Sequence, residues 1–411
     1  MNYELFIAKR IIAGKKYKNS ISSPIIKIAI TAIALGIIIM LIAVATGAGL
    51  QYKIRDKMAG FKGHVQILNY DSNNSDVSTV SINKNQDFYP KFKNIEGIKN
   101  IQVFGNKGGI LRTKTDFEGI VFKGVSTDYD WSFFEEYLTE GRIPNLNLPR
   151  TKEVLLSQTI VNRLQLKLND TIVASFLKTA TSKLPSTKKY VIVGIYNSGF
   201  AEFDKSMMIG DLREVQKLNK WTENEIGGFE VILDSFDNIE EKGEEIYNEI
   251  SLTLNAKTIV DTYPTVFEWI NLFDNNVWFI IGIMTLVASI NMITALLVLI
   301  LERVQMIGIL KALGSSNTSI RKVFLYNASY LILKGLFWGN IIGLSILFIQ
   351  HYFKVITLNP ETYYVSTMPV HISVSYIILL NIGTLIMCFL MLIIPSFIIT
   401  KIQPSKAIKF A

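Results

Sequence analysis

Between Val277 and Leu301 the chain carries no charged residue. About 20 consecutive apolar residues are enough to cross a bilayer as a helix, a conformation that satisfies its own backbone hydrogen bonds without water. Beyond this run lies Glu302-Arg-Val-Gln-Met-Ile-Gly-Ile-Leu-Lys-Ala-Leu-Gly-Ser-Ser316, and then a second apolar run, Val323 to Phe353, interrupted by Lys334. A short charged segment is therefore pinned at the membrane surface between two spanning helices. Within it Val304, Ile307, Ile309, Leu310 and Leu313 recur at roughly helical spacing, and Gly314 followed by two serines reads as a helix stop. A helix held there can carry force between a cytoplasmic partner and the membrane.

Two further runs, Ile25 to Leu50 and Ile372 to Thr400, have the same apolar character, which gives four spans. Hydrophobic residues make up 49% of the chain and the mean hydropathy is +0.31, values that suit a membrane protein with a large soluble part. The basic residues set the orientation. Lys9, Arg10, Lys15, Lys16, Lys18 and Lys27 precede or open the first run, and Arg303, Lys311, Arg321 and Lys322 lie between the second and third. Lys401, Lys406 and Lys409 follow the last run, while the connection from about residue 352 to 371 holds only Lys354. Lysine and arginine concentrate on the cytoplasmic side, so both termini and the 302–322 segment are expected there. The net charge of +8 thus reads as topology, helped by anionic lipid in the bilayer. It does not read as nucleic-acid binding, because no basic patch interleaved with aromatics lies outside the membrane flanks. The single cysteine, Cys388, sits inside a span and excludes an intrachain disulfide. The first run is too long for a signal-peptide core and is expected to stay as an anchor.

The expected division follows. An interfacial amphipathic helix occupies 1–24, with Leu5, Phe6, Ile11 and Ile12 on one side and Lys9, Arg10, Lys15 and Lys16 on the other. Spans occupy 25–50, 273–301, 323–351 and 372–400, with the surface helix over 302–322, an outer loop over 352–371 and a tail over 401–411. Between the first two spans, 51–272 is a hydrophilic α+β domain of about 220 residues, large enough for two subdomains. Alternating or β-branched runs predict strands at His64–Leu68, Ile101–Phe104, Gly119–Gly124, Thr171–Phe176, Tyr190–Gly194 and Phe229–Leu233. Helical patterns fall at Ser157–Leu166, Leu212–Leu218 and Ile239–Leu252, and Tyr263–Asn276 should lead as a helix into the second span. Thr179 to Lys189 reads on composition as a long hairpin tip.

Polar residues inside the spans carry most of the directional information. Asn291 should hydrogen-bond a neighbouring helix. Gly335, Gly339 and Gly343 fall every four residues, a stripe for close helix packing. Lys334 lies roughly 18 Å along its helix from Lys322 at about 1.5 Å per residue, deep enough to need local pairing or a functional role. Pro395 should kink the fourth span.

Asn291-Met-Ile-Thr, Leu301-Glu-Arg-Val and Ile307-Gly-Ile-Leu-Lys-Ala-Leu-Gly314 closely resemble, in that order, the signature of FtsX-like/MacB-like transporter permeases. The resemblance implies that the surface helix is a coupling helix docking on an ABC ATPase, through Glu302, Arg303, Ile307, Gly308, Lys311 and Gly314. Ile394-Pro-Ser and Ile402-Gln-Pro-Ser-Lys-Ala-Ile408 resemble the same family's C-terminus. Glu4-Leu-Phe-Ile-Ala-Lys-Arg-Ile-Ile12 is similar to the opening of LolC/LolE-type permeases. Lys183-Leu-Pro-Ser, Tyr190-Val-Ile-Val-Gly-Ile-Tyr, Gly199-Phe and Glu202-Phe-Asp204 resemble that lipoprotein-releasing branch too, as do Glu140-Gly-Arg142 and Glu153-Val-Leu-Leu-Ser157. Asn169-Asp170 departs slightly from the branch's usual Gly-Asp.

This second resemblance implies an ABC permease that extracts lipoproteins from the outer leaflet of the inner membrane. A separate LolD-type ATPase would hold ATP and magnesium, and this chain would bind no cofactor. A second permease subunit, identical or a paralogue, would complete the complex. A hook at Lys183, Leu184, Pro185 and Ser186 would meet a periplasmic LolA-type carrier if the chain is LolC-like. Lipoprotein acyl chains would occupy a cavity lined by Ile37, Met40, Leu41 and Val44 of the first span. Two other roles fit the superfamily: a MacB-like efflux mechanotransmitter, and an FtsX-like regulator of a cell-wall hydrolase that transports nothing.

No Gly-x-x-x-x-Gly-Lys-[Ser/Thr] phosphate loop occurs. His64, His351 and His371 are far apart, and no Cys/His cluster has metal spacing. Glu240-Glu241 and Glu244-Glu245 read as a solvated helix face. The chain is therefore expected to be a non-catalytic membrane subunit.

Overall fold

The computed structural model describes residues 3–13, 22–72, 76–148, 150–176 and 185–403. It divides into a membrane unit, Met1–Leu50 with Trp269–Ile356 and Met368–Ala411, and an outer unit, Gln51–Glu268 with Thr357–Thr367. Among the described residues four helices are long and apolar enough to cross a membrane, with the α+β domain inserted between the first and second. That is the fold class expected.

The helices overrun their apolar windows. The first is continuous over Ser22–Lys62 and the second over Pro264–Glu302. Hydropathy marks where lipid is, whereas a helix runs on until something stops it, and Gln51 to Lys62 contains no proline. The third helix, Asn317–Phe353, starts earlier than its apolar run because Ser316 caps it, its hydroxyl accepting from the Ser319 amide at 3.2 Å. The fourth is broken into Val374–Ser396 and Ile398–Lys401, two residues after Pro395. The segment expected over 1–24 is a helix at Tyr3–Ala13, and residues 14–21 lie outside the described ones.

The membrane unit is welded by small residues. A Cβ added at Gly335 would lie 2.7 Å from Ile33 Cβ, at Gly339 2.9 Å from Ile37 Cβ and at Gly343 3.1 Å from Leu41 Cδ1. The glycine stripe therefore seats the third span on the first, where dispersion between close backbones replaces the hydrophobic effect that lipid removes. Asn340 and Asn381 exchange amide hydrogen bonds of 2.6 and 3.0 Å between the third and fourth spans. Asn291, expected to reach a neighbour, instead donates to the carbonyl of Val287 on its own helix at 3.0 Å.

Among the described residues the outer unit has twelve strands: β1 Val65–Asn69, β2 Ile82–Asn83, β3 Ile98–Arg112, β4 Phe117–Val125, β5 Leu138–Gly141, β6 Glu153–Ser157, β7 Thr171–Phe176, β8 Ser186–Tyr196, β9 Met207–Asp211, β10 Glu225–Ile226, β11 Gly228–Leu233 and β12 Leu254–Thr258. Ten form one sheet in the order β12-β1-β11-β3-β4-β9-β6-β8-β5, with β7 pairing both β3 and β8. The pairs β3–β4–β9–β6–β8–β7–β3 close a ring around Phe122, Phe176, Tyr190, Ile192 and Met208. The first half of β3 pairs with β11 instead, so this 15-residue strand belongs to both halves. The two subdomains expected here thus share a strand and a sheet.

Candidate functional site

The candidate site gathers at the coupling segment, wholly within the membrane unit. Arg303 breaks the helical course, with φ −108° and ψ 16°, and Val304–Ala312 forms the surface helix. Ile307 and Gly308 are buried, and Ile307 joins the bundle core with Ile320, Phe324, Leu392 and Ile399. Ile309 and Leu313 stay 46% and 78% exposed, and Gln305 lies on their side. One face is therefore locked into the bundle while an apolar patch looks outward. At the end of the helix Gly314 takes φ +88°, a left-handed conformation that glycine adopts without a Cβ penalty.

Lys311 is tied to the fourth span. Its ammonium donates to the carbonyls of Ile399 at 2.7 Å, Ile402 at 2.8 Å and Thr400 at 3.4 Å. Main-chain carbonyls at the inner end of the fourth helix thus hold the lysine expected to take part in ATPase docking. Arg321 acts alongside it, its Nε donating to Ser396 Oγ at 3.1 Å and its guanidinium 3.7 Å from the Phe397 ring centre. The N-terminal helix closes the other side. Glu4 accepts from Ser319 Oγ at 2.8 Å, a bond that holds its carboxyl below the usual range, and the hydroxyls of Tyr3 and Ser315 lie 3.3 Å apart. Glu302 is exposed and Arg303 half-buried.

The residues expected to line an acyl-chain cavity belong to this chain's own bundle core. Ile37, Met40 and Leu41 are buried inside the bundle, Ile37 and Leu41 against the glycine stripe and Met40 with its sulfur 3.8 Å from the Thr285 hydroxyl. Val44 packs on the same core. A helix surrounded by apolar residues gives no sign of which stripe meets protein, and here the outward stripe is Ile28, Leu35 and Ile39. Of the hook, Lys183 and Leu184 lie outside the described residues. Pro185 is exposed and Ser186 opens β8 opposite Phe176. Lys334 faces out of the bundle with its ammonium 4.6 Å from the Tyr330 ring centre. Among the described residues no group of three His, Cys, Asp or Glu side chains is placed to hold a metal ion.

The MacB-like periplasmic core domain matches residues 28–248, more than half of the chain, and the FtsX-like permease C-terminal domain matches 278–404. The chain belongs to the MacB-like, FtsX-like permeases. Lipoprotein-releasing system transmembrane protein LolC of Neisseria meningitidis serogroup B is 20% identical over 99% of both chains. Lipoprotein-releasing system transmembrane protein LolE of Haemophilus influenzae is likewise 20% identical over 99% of both. ABC transporter permease YtrF of Bacillus subtilis is 27% identical over 44% of this chain and 42% of its own. Among solved structures, the periplasmic region of MacB from Actinobacillus actinomycetemcomitans covers 53% of this chain and 98% of its own, at 16% identity and a TM-score of 0.35. This permease is a multi-pass inner-membrane protein with a periplasmic domain. The glycine punctuation at 308 and 314 was legible in the sequence, but the partners of Lys311 and Arg321 were not, since both bind groups some 75 residues or more away.

Proposed function

We propose that this permease is the membrane subunit of an ABC transporter that releases lipoproteins from the outer leaflet of the inner membrane. The observation that carries the reading is the likeness to LolC and LolE from end to end, periplasmic domain and coupling segment included. Both termini and the coupling helix lie in the cytoplasm, where a LolD-type ATPase binds ATP and magnesium and meets Ile309 and Leu313. This chain itself hydrolyses nothing and holds no cofactor. A second permease, identical or a paralogue, completes the cavity. Because Ile37, Met40 and Leu41 are spent on internal packing, acyl chains are proposed to run along the outward stripe of Leu35 and Ile39 instead. A LolA-type carrier would receive the lipoprotein at the β7–β8 tip, which bears Pro185 and Ser186.

Mass spectrometry of the gently purified complex tests this. Triacylated lipoproteins together with a small ATPase are expected. An ATPase with a cell-wall hydrolase or an efflux adaptor, and no lipoprotein, would keep the architecture and refute the function. Replacing both Ile309 and Leu313 by Asp should cut ATPase copurification by about tenfold or more, since two charges would enter an apolar contact. Unchanged copurification would place the contact elsewhere.

A further inference from the structure

The inner end of the fourth span is a separate piece. Pro395 sits in the last turn of Val374–Ser396, Phe397 follows, and Ile398–Lys401 is a short helix of its own. Proline has no amide hydrogen to donate and its ring crowds the carbonyl one turn earlier, so the helical ladder is weakest there. Two cations from other elements hold the parts on either side of that break. Arg321, in the first turns of the third span, engages Ser396 and Phe397 at the joint itself. Lys311, on the coupling helix, engages the carbonyls of Ile399, Thr400 and Ile402 beyond it. Those carbonyls lie at a helix terminus, the end that carries the negative pole of the helix dipole, and that of Ile399 also accepts from the Ile402 amide at 3.4 Å. A lysine ammonium has three hydrogens, and here they meet three acceptors on one turn.

We propose that Lys311 is a positioning residue that makes the inner end of the fourth span an output of the coupling helix. The proposal rests on the reading above that an ATPase pushes on the face of Ile309 and Leu313. Chain continuity alone would pass a displacement of Val304–Ala312 to the second and third spans. The ammonium carries the 398–402 piece with the coupling helix as well. The joint at Pro395–Phe397 lets that piece swing while Arg321 keeps the joint on the third span. The fourth span thereby answers the same input as its neighbours.

The test has two arms. In the chain alone, without an ATPase, Lys311→Met should raise hydrogen exchange of the amides in 398–402, and Lys311→Arg should not. Exchange unchanged in Lys311→Met would overturn the tie whatever the function is. In the reconstituted complex carrying a triacylated lipoprotein, the readout for Lys311→Met is lipoprotein released per ATP hydrolysed. Lipoprotein release per ATP should fall about tenfold, the scale of one charge-assisted hydrogen bond, with Lys311→Arg recovering most of it. A Lys311→Cys/Ile402→Cys pair in a Cys388→Ser background should be uncoupled as dithiol and recover when bridged by a short bis-maleimide. A bridged pair that stays uncoupled, or a Lys311→Met protein that releases normally, overturns the proposal. If instead the unaltered complex shows no ATP-linked release, the transport reading fails while the exchange result still judges the tie.

Discussion

Lys123→Met should be among the costliest single changes in the periplasmic domain. Lys123 and Glu230 are each 1% exposed, and the ammonium lies 2.8 Å from both carboxylate oxygens. Burial pulls the Lys123 pKa down, and the facing carboxylate pushes back to keep it charged. The ammonium also donates to the carbonyl of Phe61 at 2.6 Å, in the last turn of the first long helix. Glu230 further accepts from Gln66 at 3.3 Å and Gln102 at 3.0 Å. Methionine is close to lysine in volume, so little cavity opens and the loss is electrostatic. Removing one partner of a buried pair strands the other charge, which costs about 3–5 kcal/mol. At about 2–4 °C per kcal/mol for a domain of this size, the melting temperature should fall by about 6–20 °C. Thermal unfolding of the full chain in nanodiscs measures it. Lys123→Met with Glu230→Met should recover more than half, because no charge is then left buried. A loss under about 1 kcal/mol, or a double variant no better than the single one, would refute the account of Glu230 as a carboxylate dependent on Lys123.

Three further outcomes are expected. Gly339→Leu should destabilise the bundle by about 1–3 kcal/mol or more, because its Cβ would meet the Ala34 carbonyl and Ile37 Cβ, each at 2.9 Å. Gly383→Leu, where nothing lies within 4 Å, should stay within about 0.5 kcal/mol in the same melting assay. His64 gives a pH dependence: burial, then the charge of Lys99, lowers its pKa from 6.5 to about 4, and its Nδ1 accepts from the Leu233 amide at 3.2 Å. The unfolded chain therefore binds the proton first, so stability is full above about pH 6.5 and is lost as pH falls towards 4, by about 2–3 kcal/mol. His64→Asn keeps an acceptor without titrating, so between pH 6.5 and 4 the variant should lose about 2–3 kcal/mol less than the parent, and equal losses in the two melting profiles would refute the imidazole as the source.

What was legible in the sequence, and what was not, follows from the solvent. A bilayer makes every face of a spanning helix apolar, so the four spans stand out while their facing does not. Ile37 and Met40 differ from Leu35 and Ile39 in nothing a pattern can detect, yet the first two are buried and the last two exposed. Only residues that are not simply apolar carry direction, and they were not equally readable. The Gly335–Gly343 spacing announced close packing correctly, because a missing side chain has one meaning wherever its partner lies. Strands such as Met207–Asp211, buried at every position, offered no alternation to detect, and the ring they help close depends on pairings far apart in the chain. The contacts of Lys311 were hidden for a different reason. A lysine on a short surface helix suggests a charged contact with a partner, and side-chain patterns show no carboxylate nearby to claim it. Its actual acceptors are backbone carbonyls, which every residue possesses and no sequence marks. They lie where the fourth helix ends, so the one readable clue was Pro395, six residues before Lys401, which already placed that helix end beside the coupling segment's side of the membrane.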